Sequence, residues 1–316
     1  MIIFSPSPHI HTGRTIGGIM RHVLIALIPA TVCALWFFGL PALWVLITSV
    51  VSCVATEWLI TKYILRRTST IKDCSAVLTG VLLALTLPSG LPLWMVAAGG
   101  IVAIGIAKMA FGGLGCNIFN PALVGRVFLL ISFPVAITTW PLPSNPFANT
   151  DGATGATILA TLKTGVADSG ALDMQSMFMG DMGGSMGEVS AAALLLGFVY
   201  LLAFRIIKWY IPVSVVAGLV LVDLLAGFPP LPDILSGGVL LGAIFMATDY
   251  VTSPMTNRGM LLYGLMIGII TAVIRRWGSY PEGISFAILM MNGVTPLINR
   301  YIHNKRFAPR KKEVAA

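Results

Sequence analysis

Residues 75–90 read SAVLTGVLLALTLPSG, and residues 236–254 read SGGVLLGAIFMATDYVTSP. Each stretch is apolar and rich in small residues, and each is shorter than the roughly 20 helical residues that a hydrocarbon core of about 30 Å requires. Each also precedes a span bearing asparagine and proline: CNIFNPALVGRVF (116–128) in the first half, ILMMNGVTPLINRY (288–301) in the second. Short, interrupted segments at corresponding places in two halves of a chain mark a membrane repeat whose broken helices meet near the bilayer midplane.

The composition around these stretches agrees. Of 316 residues, 57% are hydrophobic and 10% charged, far from the soluble mixture of about 25% charged residues, and the mean hydropathy is +0.90. Hydropathy predicts ten spans, near 22–39, 42–61, 75–88, 92–108, 118–138, 189–204, 211–227, 236–248, 259–274 and 283–299. Five fall on each side of a long polar segment, and an odd number turns the second half upside down relative to the first. The expected fold is therefore an all-α polytopic membrane protein. An N-terminal five-helix repeat covers 1–138, a loop 139–188, an inverted five-helix repeat 189–300, and a basic tail 301–316. Met1–Thr15 is polar and carries no secretory signal pattern.

The net charge of +8 reads as orientation rather than as nucleic-acid binding, because basic loops stay on the cytoplasmic side. With both termini inside, Arg21, Lys62, Lys72, Lys108, Arg205, Lys208 and Arg258 fall on the cytoplasmic face. The 139–188 segment, acidic at Asp151, Asp168, Asp173, Asp181 and Glu188, then falls outside. Arg275 and Arg276 break the pattern, since the span count puts them in an outer loop. The four cysteines, Cys33, Cys53, Cys74 and Cys116, form no CxxC pair and signal no metal site within the chain; Cys116, in a glycine-rich turn, could approach a metal shared with another subunit.

Charges inside apolar runs cost about 2.5–3.5 kcal/mol each on insertion scales and need a reason. Glu57, Arg126, Asp223 and Asp249 are such groups, each open to an interhelical pair or a functional role. Asp249 stands beside Thr248, Thr252 and Ser253, a set of oxygen donors suited to sodium or to polar flavin edges, and Glu57, Thr248 and Asp249 are candidates for an ion pathway. Asn117 and Asn120 in GCNIFNP offer donors and acceptors without charge. Alternatively, Asn120 before Pro121 is a plain helix start.

The polar loop contains TDGATGATILATL (150–162), which alone reads either as a linker or as a display of esterifiable threonines. DGATGAT resembles the D-G-x-[ST]-G-A-[ST] flavinylation motif of the membrane subunits of the Rnf complex and the sodium-pumping NADH:quinone reductase, the RnfD/NqrB family. GGLGCNIFNPALVGRVFL (112–129), KDCSAVLTGVLLALTLP (72–88), MATDYVTSP (246–254) and YPEGISFAILMMNGVTPLI (280–298) are similar to the family at like positions. Asn299 and Tyr250 depart from it, where Asp and Pro are common. The size resembles that of the D-type member more than that of the longer B-type member from the quinone reductase. The resemblance implies FMN esterified through its phosphate to Thr157, with Asp151, Gly152, Gly155 and Ala156 as the recognised frame and Thr154 second in rank. It also implies a noncovalent riboflavin at Asn117 and Asn120, with Arg126 placed to neutralise a phosphate or pair with a carboxylate.

On that resemblance the chain is expected to be an electron-carrying, ion-translocating subunit in a bacterial inner membrane, coupling ferredoxin and NAD chemistry to Na+ or H+ movement. Ferredoxin and NAD would be met only through partner subunits, because the glycine-rich turn at 112–115 opens a membrane helix and follows no strand, unlike a dinucleotide fingerprint. A flavin transferase would be needed for maturation. The alternatives are a flavin-free inverted-repeat transporter or channel, a structural anchor, and the B-type subunit of a sodium-pumping quinone reductase.

Overall fold

The computed structural model describes residues 15–66, 70–141, 154–155, 159, 174–180, 183–278, 280 and 282–302. The chain is predominantly helical, and among the described residues two helices are long and apolar enough to cross a membrane, Ile16–Ile64 and Asn257–Trp277. Large apolar side chains cover the outside, among them Trp36, Trp44, Leu196, Leu225 and Trp277, each more than half exposed. A surface of that kind belongs against lipid rather than water.

Helix α1 (Ile16–Leu59) is 44 residues long, about 66 Å if straight, and it is not straight. Gly39 lies at φ +62°, ψ −144°, with Pro41 close behind, a conformation that glycine adopts at no steric cost. Gly17 packs against Lys72 and Asp73, while Glu57 accepts from Thr70 Oγ1 at 2.6 Å. Both ends of α1 therefore meet the same short connector, and α1 is a hairpin folded at Gly39. This matches the two spans predicted at 22–39 and 42–61, the second prolonged by a π turn over Ile60–Ile64.

Helix α2 (Ser75–Leu85) follows, then α3 (Leu93–Ile104) with a π turn over Gly105–Met109, and α4 (Pro121–Ser132). The span predicted at 118–138 is divided, because Pro134 opens a separate short helix over Pro134–Thr138. After the polar segment come α5 (Ala191–Ala203), α6 (Tyr210–Leu225), α7 (Val239–Leu241, continued by a π turn over Gly242–Met246), α8 (Asn257–Trp277) and α9 (Ile284–Tyr301). Small residues let these helices close tightly. A Cβ on Gly218 or Gly268 would collide with the carbonyl oxygens of Leu265 and Val215 across the α6–α8 contact.

The molecule has two ends of different charge. One holds Thr15, the 57–75 connector and the turns at 204–209 and 249–257, tied together by Lys208–Asn257 and by Tyr250, which donates to the Ile206 carbonyl. Here Arg21, Lys62, Arg66, Lys72, Arg205, Lys208, Arg258 and Arg300 gather. The other end holds Gly39, the segment around Gly180, which packs on Phe37, and the start of α7. Its arginines are folded into carboxylates: Arg276 contacts both Asp223 and Asp233, and Arg126 contacts Glu282. Arg275 and Arg276, the exception in the loop count, are thus neutralised internally.

α2 and α7 are half-length elements entering from opposite ends. α2 begins at Ser75 beside Glu57 and Lys108 at the Thr15 end. α7 begins at Gly238 beside Arg275 and Glu188 at the Gly39 end. Residues 185–190 are non-helical yet wholly buried. Met186 and Gly187 donate to the carbonyls of Leu87 and Leu85 at the end of α2, which satisfies backbone groups that could not stand exposed at membrane depth.

Candidate functional site

The inner end of α7, the middle of α2 and the turn before α4 enclose a cleft. Its empty space is about 750 Å3, a figure that takes in the open mouth as well as the enclosed part. Ile19, Val23, Leu78, Leu82, Ile244 and Phe245 form apolar walls, and Ser75, Thr79, Lys108, Asn117, Asn120, Thr248 and Asp249 supply the polar groups. Four residues singled out from sequence, Asn117, Asn120, Thr248 and Asp249, therefore converge, although more than 120 residues separate the two pairs.

The turn from Lys108 to Asn117 is possible because Gly112, Gly113 and Gly115 have φ of +112°, +102° and +93°, values closed to side chains. Asn117 Nδ2 donates to the Phe119 carbonyl at 3.1 Å, and its side chain also faces Asp249. Asp249 accepts from Thr252 Oγ1 at 3.3 Å, while Thr248 spends its hydroxyl on the Ile244 carbonyl at 2.6 Å. Asn120 is the N-cap of α4. Its Oδ1 accepts from the backbone N–H groups of Ala122 and Leu123, and its Nδ2 donates to the Met246 carbonyl at 3.1 Å. Both readings of Asn120 thus meet a residue already committed: it starts a helix and ties that helix to the end of α7.

Behind the cleft, Asn292 and Tyr263 share a hydrogen bond of 2.6 Å. Turned so that donors face acceptors, the Asn292 amide also takes the backbone N–H of Asn120 at 3.1 Å. This polar thread joins α4, α8 and α9 in the core, and sequence reading did not single out Tyr263 or Asn292. Asn292 entered only as part of the asparagine- and proline-bearing span at 288–301, and Tyr263 as one tyrosine in an apolar helix.

Glu57 does not line the cleft; it stands one layer back and holds Lys108, which does. Lys108 Nζ donates to Glu57 Oε2 at 2.5 Å and to Ser75 Oγ at 2.7 Å, with side-chain exposures of 2% and 1% for the pair. Sequence reading put Lys108 among the basic loop residues, yet it is 1% exposed. Arg126 is likewise outside the cleft, buried against Glu282.

Of the flavinylation frame, Thr157, Asp151, Gly152 and Ala156 lie outside the described residues. The backbone of Thr154 and Gly155 pairs antiparallel with Pro141 and Trp140, and Leu159 is buried at 5% exposure, packed on Gly237 beside the Arg275 guanidinium. The two described flanks, 155 and 159, are thus held against the Gly39 end. Cys116 is an exposed free thiol.

These features define a class: a helical membrane protein built round an apolar-walled, polar-floored cleft between half-length helices. The chain belongs to the NQR2, RnfD, RnfE family, whose model matches residues 3–308. It is 45% identical over 310 residues to the D component of the Na(+)-translocating ferredoxin:NAD(+) oxidoreductase complex of Acetobacterium woodii, covering 97% of this chain and 95% of that one. It is 41% identical over 322 residues to the D component of the proton-translocating ferredoxin:NAD(+) oxidoreductase complex of Clostridium ljungdahlii, covering 97% and 96%. The D component of the ion-translocating oxidoreductase complex of Escherichia coli K12 is 38% identical over 347 residues, covering 96% and 98%.

Proposed function

We propose that this chain is the D-type membrane subunit of a multi-subunit ion-translocating ferredoxin:NAD oxidoreductase, with FMN esterified to Thr157 and riboflavin held noncovalently in the cleft. Kinship over nearly the whole chain supports the complex, and the DGATGAT frame supports the attached flavin. The observation that carries the riboflavin reading is the cleft itself: apolar faces for a flat ring, with Asn117 and Asp249 at the edge and the buried Lys108 cation on the floor. Bound flavins would supply the one- and two-electron chemistry, and the chain would bind, orient and shield them. Because Asn120 is spent on Ala122, Leu123 and Met246, recognition of a ring edge falls to Asn117, and Asn120 shapes the cleft around it. Arg126 acts in the scaffold rather than on a phosphate.

Ten segments cross the bilayer in this reading, in two inverted sets of five, and the opposed entry of α2 and α7 is what supports it. The basic Thr15 end faces the cytoplasm of a bacterial cell, with both termini, and the 139–188 loop faces outward, where a flavin transferase would reach Thr157. Other membrane and peripheral subunits are the partners, and ferredoxin and NAD are met through them. The relatives' names divide between sodium and proton, so the ion for this chain rests on its own residues.

The test is to coexpress the chain with the transferase and image a denaturing gel under ultraviolet light. A fluorescent band that Thr157→Val darkens and Thr154→Val leaves bright is expected; a dark wild-type band overturns the covalent assignment. For the cleft, pigment extracted from Asn117→Leu protein should contain less free riboflavin than wild type, and an unchanged yield refutes the site.

A further inference from the structure

Beside the start of α7, among the described residues, lies a cluster of seven charged groups, five of them buried and Arg276 and Glu282 partly so. Arg276 contacts Asp223 and Asp233, Arg275 lies 3.9 Å from Asp233, and Arg126 contacts Glu282. Glu188 is within electrostatic reach of both Arg126 and Arg275, yet among the described residues it forms no ion pair. Among the described residues four carboxylates face three arginines, so with all of them ionised the cluster carries one negative charge more than it neutralises. Glu188 is 5% exposed and, among the described residues, its Oε1 has no hydrogen-bond partner. One turn earlier, Ser185 is wholly buried and its Oγ is also without a partner among the described residues. The two residues close one turn, Glu188 N–H donating to the Ser185 carbonyl at 3.0 Å.

The carboxylate is cradled where two glycines leave room. A Cβ on Gly238 would stand 2.8 Å from Oε1, and one on Gly184 would stand 3.4 Å from Oε2. A carboxylate oxygen without a donor and an orphaned hydroxyl in the interior are both costly. A small hard cation takes up both deficits, because it needs oxygen ligands and brings the missing charge.

We propose that Glu188, with Ser185 Oγ, binds a sodium ion at the Gly39 end of the protein. The site deepens the ion-translocating reading by naming an ion-binding residue, but its evidence and its test are independent of flavin. Gly184 and Gly238 keep its space open, and the surrounding arginines hold the other three carboxylates in pairs.

The experiment is thermal unfolding of the purified full-length chain, followed by tryptophan fluorescence, in sodium chloride and in choline chloride at equal ionic strength. Protein coexpressed with the transferase and Thr157→Val protein, which cannot carry the esterified FMN, are compared, so that loss of the covalent-flavin reading leaves the ion result intact. The expected result is a midpoint that climbs with sodium and not with choline in both preparations. Glu188→Gln should abolish the sodium response, and Ser185→Ala should raise the half-effect concentration about tenfold. Equal responses to sodium and choline overturn the proposal, as does a full response in folded Glu188→Gln protein. Should Glu188→Gln not fold, Ser185→Ala with an unchanged half-effect concentration overturns it. A midpoint that follows pH alone, with sodium without effect, makes Glu188 a proton site and also overturns it.

Discussion

Replacing Lys108 with methionine should destabilise the protein more than any substitution of similar size on its surface. The ammonium lies 2.5 Å from Glu57 Oε2 and 2.7 Å from Ser75 Oγ, with both charged side chains nearly inaccessible. Without it, Glu57 keeps only the Thr70 hydroxyl at 2.6 Å, and an unpaired carboxylate stays in the interior. Breaking a buried pair from one side costs about 3–5 kcal/mol, whereas removing both charges is often close to neutral. The double variant Glu57→Gln, Lys108→Met keeps the Thr70 contact and should return to within about 1 kcal/mol of wild type. That leaves a coupling energy on the order of 3 kcal/mol between the two sites. Unfolding in mixed micelles of mild and denaturing detergent, read by tryptophan fluorescence, supplies all four corners of the cycle. Additive effects, or single variants within about 0.5 kcal/mol of wild type, would show that water or lipid headgroups reach this pair and that the interior around it is not dry.

Gly218→Ala or Gly268→Ala should force α6 and α8 apart, because the new methyl group meets a backbone carbonyl; a loss of about 2 kcal/mol in the same micellar unfolding is the expected cost. Arg276→Gln strands the buried Asp223 and leaves Asp233 with Arg275 at 3.9 Å, and should cost about 3 kcal/mol. Arg276→Lys should recover only part of that, since it lacks the fork that reaches both. Asn120→Ala loses the cap on α4 and the donor to Met246, about 2 kcal/mol together, and equal stability of this variant would refute the structural role assigned to it.

The half-length helices could be read from sequence because shortness and small residues survive in one dimension: the span expected at 75–88 is the helix found at Ser75–Leu85. Sequence singled out Asn117 and Asn120 in one half and Thr248 and Asp249 in the other as separate sites, and only the fold brings them to one cleft. Pairings could not be read the same way. Lys108 and Glu57 are 51 positions apart, and nothing local distinguishes a lysine that turns inward to a carboxylate from one that reaches for lipid phosphates. The division of 118–138 at Pro134 was legible in principle, because a proline denies the helix an N–H. The buried stretch at 185–190 was not, since its polar sequence reads as loop until Leu85 and Leu87 are seen to receive its backbone donors.

Arg275 and Arg276 show why counting charges by loop misleads. A basic residue biases orientation through its free charge near the membrane surface, but these two are consumed by Asp223, Asp233 and the carbonyls of Ser236 and Gly237. The same pairing serves α7. Arg275 holds the two residues before it, much as Lys108 holds Ser75 at the start of α2. Each half-length helix is thus fastened at its outer end by a buried cation that is itself held by a carboxylate from another element. Their inner ends are fastened by neutral hydrogen bonds, Gly187 to Leu85 and Asn120 to Met246. Short helices lack the length to hold their own position in a bilayer, so charge at the rim and amides at the centre fix them, and the cleft between them keeps its shape. Of the two cations, only Lys108 also lines that cleft, so a change there alters both the scaffold and the chemistry the cleft can support, whereas a change at Arg275 alters the scaffold alone.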